Sequence, residues 1–323
     1  MAGLSEALRD LPLMYEEEYN SLYLDKGFYS PGYIVSLTAF VNNKKILQRN
    51  FDAPPENSGY LDAMGFNTAI WNVASENQSR CNVGKNYSLI TPLYAPEDVD
   101  EATTSINSCI RQLSGNNSSK GLSDLFHVVG ELHDNVWSHG LSSGFSMAQR
   151  TKVPYSEPID YHFEFALADQ GYGFLREMKR SGFDINSHKE AIEWCIREGN
   201  STKHSDEVDE WTQTLPNDLI GRSPYGSNVK TRTDENHHQG LGLAHLIKLV
   251  KKYKGQLYLA SGDTCLHINS QGIERFLNLQ NSWQGVAISC RFKESELSKE
   301  YTEVLDSSLL EIMEKLKGDS NDY

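Results

Sequence analysis

GELHDNVWSHG, residues 130–140, is the stretch on which the reading of this chain turns. Leu122, Leu125, Phe126, Val129, Leu132, Val136 and Trp137 recur at three- and four-residue spacing, which predicts a helix over residues 122–137 with one apolar stripe. Glu131 and Asn135 lie beside that stripe and one turn apart, so they project from the same helical face. A carboxylate and an amide so placed are able to meet one ligand. Taken by themselves they read better as a surface glutamate and a helix-interior asparagine.

The residues downstream change that balance. Residues 161–168, YHFEFALA, alternate in the manner of a strand and run into Asp169-Gln170-Gly171-Tyr172-Gly173. Helices are predicted over 174–182 and 187–198, the second burying Ala191, Ile192, Trp194, Cys195 and Ile196 in part. Residues 199–239 have little apolar periodicity and several Gly, Pro, Asn and Asp residues; a stretch of that kind inside a domain reads as a mobile cover. Gly240-Leu241-Gly242-Leu243 then opens a helix to residue 253, with Leu243, Leu246, Ile247 and Val250 on one face. Its lysine-rich end, Lys248, Lys251, Lys252 and Lys254, suits the negative end of the helix dipole, and Gly255 is expected to cap it. Residues 256–260 and 264–268 read as a strand pair about Ser261-Gly262-Asp263, residues 285–292 as a last strand, and 294–316 as an amphipathic helix.

Earlier in the chain the reading is α/β without obvious chemistry. Residues 33–41, YIVSLTAFV, are apolar and β-branched enough for a buried strand, and 45–51 read as a second after the Asn42-Asn43 turn. Residues 52–58 read as a loop and 59–71 as a short helical pattern. A helix is predicted over 97–113, a polar break over 114–120, and loop over 140–158.

Composition narrows the function classes. At 323 residues the chain has room for one large or two ordinary domains. No run of apolar residues reaches the length of a membrane span, and the first twenty residues lack the pattern of a signal peptide. Cys81, Cys109, Cys195, Cys265 and Cys290 are scattered without metal-ligand spacing, which reads as free thiols in a reducing compartment. A net charge of −14 repels a phosphate backbone, so nucleic acid is not expected as the main partner. The expected setting is cytoplasmic, with a protein or small-molecule partner and no membrane.

Three motifs in order, ExxxN as Glu131 and Asn135, DxGxG as Asp169, Gly171 and Gly173, and GxGL as Gly240, Gly242 and Leu243, carry a specific resemblance. From about residue 121 to 292 the chain resembles the GHKL ATPases: gyrase B, MutL, Hsp-type chaperones, histidine kinases and the small anti-sigma kinases. The nearest type is the stand-alone bacterial histidine-kinase-like ATPase. The resemblance implies an α+β fold, a two-layer α/β sandwich of the Bergerat kind, over residues 96–293, with residues 199–239 as its ATP lid. Residues 1–95 would form a small α/β N-terminal module, for which Tyr60-Leu61 and Met64-Gly65-Phe66 carry a faint likeness to STAS modules. Residues 294–323 would be a C-terminal helix and tail.

By that resemblance the cofactors are ATP and Mg²⁺. Asn135 is implied as the metal ligand, since a neutral amide oxygen adds no repulsion against phosphate. Glu131 is implied as the base that orients and polarises the attacking water. Asp169 would accept the adenine amino hydrogen, with Gly171 and Gly173 letting the backbone approach the base. Gly240, Leu241, Gly242 and Leu243 would offer the free amides of a helix N-terminus to phosphate. Gly199-Asn200-Ser201-Thr202-Lys203 resembles the start of the lid, which implies Thr202 and Lys203 as phosphate contacts; a solvated lysine fits as well.

The chain also departs from the pattern. His237-His238-Gln239 stands where relatives carry further glycines, implying a stiffer hinge. Val286 follows Gly285 where many relatives place a threonine near adenine, which leaves Ser289 as the substitute or loses a water contact. Histidine autokinase activity is not expected, because the first histidine, His127, lies within the proposed ATP-binding helix. His127, His133 and His139 read as structural or supporting groups. With a short segment after Phe292, a gyrase or MutL engine is not expected either. What remains is a regulatory ATPase that changes its grip on a partner protein, with dimerisation through the N-terminal module or C-terminal helix. The alternatives are an anti-sigma-type serine/threonine kinase and a non-hydrolysing nucleotide-binding scaffold.

Overall fold

The computed structural model describes residues 1–74, 80–95, 97–113, 119–136, 143–197 and 242–299. The chain begins with helix α1 (Leu4–Met14), then β1 (Tyr15–Glu16), β2 (Ser21–Tyr23), helix α2 (Pro31–Asn43), β3 (Phe51–Asp52) and helices α3 (Pro55–Ala63) and α4 (Phe66–Trp71). Next come β4 (Thr91–Leu93), α5 (Asp98–Leu113), α6 (Lys120–Asn135), β5 (Gly144–Lys152), β6 (Tyr161–Asp169), α7 (Gly173–Arg180) and α8 (His188–Cys195). The last elements are α9 (Gly242–Lys252), β7 (Gln256–Ile268), β8 (Glu274–Lys293) and α10 (Glu294–Leu297). Among the described residues no helix is long and apolar enough to cross a membrane.

The class is mixed α+β, built on a five-stranded sheet of order β4-β5-β6-β8-β7 in which all neighbours run antiparallel. Alternation along β6 decides which residues face which layer. Phe163, Phe165 and Leu167 point into a core shared with α5, α6 and α9, whereas Ala166 and Ala168 point into a core shared with α1 and α2. On the second face the small alanines let a helix backbone come close to the sheet. Helices α1 to α4 thus pack on that face and share its core with Phe145, Met147, Trp283 and Ala287, whereas β4 belongs to the sheet and its Leu93 to the core on the other face.

Helix α2 departs most from expectation. Residues 33–41, expected as a strand, are helical, and all of them are buried. A helix that is apolar all round needs cover all round; α2 has it from α1, α4, β5 and β6. Pro31 at the first turn, with its ring already holding a helical φ, starts it. Its N-terminal end meets a buried carboxylate: Glu164 of β6 accepts from Gly32 N at 2.9 Å and Ser30 Oγ at 2.8 Å. Negative charge at the positive end of a helix is favourable. Arg291 Nε, 2.8 Å away, and Ser289 Oγ, 3.0 Å away, complete the shell of Glu164.

Other expectations are corrected in the same way. Residues 45–51 hold only a 3-10 turn (Gln48–Asn50) before β3, and 52–58 contain the start of α3. Within 140–158, expected as loop, β5 runs beside β6 in continuous register from Gly144↔Asp169 to Lys152↔Tyr161. Residues 256–268 are one strand, β7, rather than a hairpin, and its partner β8 begins at Glu274. At the end of α9, Lys254 takes the left-handed conformation expected of Gly255 (φ 50°). Gly255 is needed for space instead, since a Cβ there would stand 2.6 Å from the Phe292 ring.

Candidate functional site

Helix α6 opens at Ser119, whose hydroxyl accepts from Leu122 N and donates to Leu297 O at 2.9 Å. Its stripe of Leu122, Leu125, Val128, Val129, Leu132 and Val136 is buried against the sheet, which leaves Glu131 and Asn135 half-buried on the flank toward α9. There Gly242, the first residue of α9, lies so close that a Cβ would stand 2.9 Å from Glu131 Cβ, 3.2 Å from Glu131 Oε2 and 3.5 Å from Asn135 Nδ2. Two motifs far apart in the chain therefore meet through a glycine that nothing larger fits.

Glu131 Oε2 is a buried oxygen without a hydrogen-bond partner. The group facing it is His245 Nδ1 at 3.5 Å, one turn along α9 from Gly242, on a side chain that is 39% exposed. Sequence reasoning passed His245 over. Its spacing from Gly242 was the available signal, because a helix that meets Glu131 at one residue presents the third residue on to the same neighbour.

Asp169 closes β6 at 5% exposure. Burial pushes its carboxyl up to about 7, against the pull of the Gly171 and Val286 amides, which favour the charged form. Gly171 N donates to Oδ1 at 2.7 Å. Across from it the pairing of β7 with β8 shifts register, so that Gln284 and Gly285 bulge from β8 between Trp283 and Val286. Gly285 has a φ of 84°, and a Cβ there would lie 2.4 Å from Asp169 O and 2.5 Å from Oδ1. Ser261 Oγ ties the arrangement together, donating to Gly285 O at 3.0 Å and accepting from Phe174 N at 3.1 Å beside Gly173. The sequence reads Gly285 as the start of the last strand and Ser261 as part of a turn; the bulge that joins them shows only when both strands are paired.

The Asp169 group and the Glu131 group adjoin. At Gly144, the first residue of β5, a Cβ would stand 3.2 Å from Val136 Cγ1 and 3.4 Å from Asp169 Cβ. The C-terminal end of α6, the N-terminal end of α9 and the end of β6 therefore gather at one end of the sheet.

Ser289 is not brought there. Along β8, Val286, Ile288, Cys290 and Phe292 face α6 and α9, while Ala287 and Ser289 face α1 and α2. Ser289 binds Glu164 on the opposite side of the sheet, and strand parity, three residues from Val286, already required it. Leu243 is 8% exposed and belongs to the core between α9 and the sheet. Thr202, Lys203, Gly240 and Leu241, the rest of the expected cover, His139, His237 and His238 lie outside the described residues, as does the C-terminal helix beyond residue 299. His127 is exposed on α6. His133 is fully buried between Thr103 Oγ1 and Ser146 Oγ, each at 2.8 Å, and burial pushes it down to about 3. It stays neutral and links α5, α6 and β5. Among the described residues no group of three or more His, Cys, Asp or Glu side chains is placed to hold a metal ion.

No family model matches this chain, and no curated protein or solved structure matches it either.

Proposed function

We propose that this chain is a regulatory ATPase of the GHKL type on a Bergerat-like sandwich, binding ATP with Mg²⁺ at the end of the sheet where α6, α9 and β6 converge. The observation that carries the reading is the fit of Gly242 against Glu131 and Asn135, beside the Gly144 contact to Val136 and Asp169. Motifs separated by more than a hundred residues would have no reason to adjoin if each were an ordinary turn or surface pair. Nucleotide chemistry needs this set together: an acceptor for the base, amides and space for phosphate, and acid oxygens beside them.

Asp169, buried and held by backbone amides, accepts the adenine amino hydrogen. The residues also suit a hydrated divalent cation: Asn135 offers a neutral amide oxygen, and Glu131 carries a buried oxygen with no hydrogen bond. When bound, Mg²⁺ neutralises charge on the phosphate oxygens. Glu131 orients the water and takes its proton as the oxygen attacks the γ-phosphorus and the bond to the β-phosphate oxygen breaks. His245, 3.5 Å from Glu131, stands where it holds that carboxylate in place. Hydrolysis then alters the protein's grip on a partner protein.

Glu131→Ala tests the assignment. Phosphate release should fall by about 10²–10⁴-fold, the usual worth of a positioned base, while ATP binding stays within a few-fold. Hydrolysis at the native rate in that variant removes Glu131 from the role.

A further inference from the structure

The small sheet of β1, β2 and β3 has one face in the core and one in solvent. Tyr15, Leu22 and Phe51 stand opposite one another across its three strands, and this row turns inward. Leu22 is buried, and the two rings pack against the core beside it. Side chains alternate along a strand, so the neighbouring pairs, Glu16 with Ser21 and Tyr23 with Asp52, turn outward. There they line an open groove of about 500 Å³, together with Tyr19 and Arg49.

Two tyrosines are held out on this face, Tyr19 at 65% exposure and Tyr23 at 57%. Tyr23 is fixed by its strand. Tyr19 sits on the turn between β1 and β2, which Asn20 closes in the left-handed conformation (φ 46°) while its side-chain oxygen accepts from the Tyr15 hydroxyl at 2.9 Å. From beside β3, Asn50 Nδ2 donates to Tyr19 O at 3.1 Å and to Asn20 O at 3.3 Å. The backbone that carries the Tyr19 ring is thus tied to a second segment of the chain. Aromatic side chains on a fixed backbone lose little freedom on contact, which suits them as anchors of an interface.

Charge selects what the rings meet. Glu16 and Asp52 line the groove, Glu17 and Glu18 follow on the same turn, and Arg49 is the one cation among the lining residues. Among the described residues none of these four carboxylates is in an ion pair. A guanidinium satisfies both features, because its flat face stacks on a tyrosine ring and its edge donates two parallel hydrogen bonds to a carboxylate. Tyr23 and Asp52 stand side by side on adjacent strands, within reach of one such group. A small cation in so open a groove stays mostly in water, whereas an arginine on a protein segment brings an apolar neighbour to cover Tyr19 and Met14. We propose that the outer face of this sheet docks a segment of a partner protein that carries arginine beside an apolar residue. The guanidinium lies against Tyr23 and Asp52, and the apolar residue against Tyr19. The surface uses none of the residues assigned to ATP, and it stands or falls separately from the proposed hydrolysis.

A net charge of −14 attracts any basic peptide, so the decisive variant must leave charge unchanged. Random short peptides displayed on phage are selected on the full chain, and the enriched ones are synthesised and titrated by fluorescence anisotropy. They should carry arginine next to an apolar residue. The double variant Tyr19→Ala/Tyr23→Ala keeps every charge and, since both rings are exposed, should melt as the native chain does. It should bind these peptides about tenfold or more weakly, the loss expected of anchoring rings. Asp52→Asn gives a second reading with both rings in place and should also weaken binding, as should changing the peptide's arginine to lysine, which lacks the paired donors. Equal binding by the tyrosine variant means attraction by net charge alone and overturns the proposal, as do enriched peptides without arginine or no enrichment. Self-association in sedimentation that the tyrosine variant abolishes gives the face to a second copy of the chain and overturns it as well.

Discussion

Gly285 and Asp169 define each other. With φ at 84° and Asp169 O in the place of any Cβ, residue 285 has no alternative to glycine. Gly285→Ala should destabilise the fold by about 1–3 kcal/mol through overpacking and backbone strain, read as a lower denaturation midpoint. Asp169 itself gives opposite signs for stability and for binding. Its carboxyl is raised by burial to about 7, so the protonated form suits the folded state. The stability this contributes is fully present below the ordinary aspartate value and is lost as pH rises through about 7. ATP affinity should move the other way, because the ionised group is the better acceptor for the adenine amino hydrogens. Calorimetry between about pH 6 and 8 should find affinity rising toward a plateau in the native chain, and no binding at any pH in that range in Asp169→Asn. A flat profile in the native chain would separate Asp169 from the base.

At the scale of elements, legibility follows periodicity. Helices α5, α6 and α9 each bury one side, so their apolar residues recur at the helical period, and strand β6, buried on both faces, still alternates large residues toward one core with alanines toward the other, which makes all four legible in the sequence. Helix α2 is buried on every side, and a continuous apolar run carries no period from which to choose helix or strand. Strand β5 is hidden for a different reason. Its inward Ser146 is polar and is satisfied by His133 from α6, so the alternation of GFSMAQRTK is broken by a pairing that no local rule reveals. In β8 the residues before Trp283 are mostly exposed and pair only with β7, so little core contact imprints a pattern there. For the candidate site, the residue types at Glu131, Asn135, Asp169 and Gly242 are legible, and His245, Ser261 and Gly285 are not, because each acts through a neighbour distant in the chain. The Glu164 cluster makes a prediction at this scale: Glu164→Ala leaves Arg291 and the start of α2 without their acceptor. A loss of about 3–5 kcal/mol in chemical denaturation is expected, the cost of removing one partner of a buried pair.

Across the described residues, the five-stranded sheet supports a layer on each face, and the N-terminal layer, α1 to α4 with the small sheet β1-β2-β3, has no core that is separate from the five-stranded sheet. Unfolding should therefore be a single transition, with fluorescence and far-ultraviolet circular dichroism curves that coincide. A distinct early transition would show that the N-terminal layer is held independently. The same sheet positions the candidate site, since α6 and α9 pack together on one face and Asp169 ends the middle strand of the sheet beneath that core. The central claim is that these parts form one nucleotide pocket. Calorimetric titration of the full chain with ATP in the presence of Mg²⁺ tests it most directly. One nucleotide should bind per chain, with binding lost in Asp169→Asn; no binding to the native chain would contradict a shared nucleotide pocket.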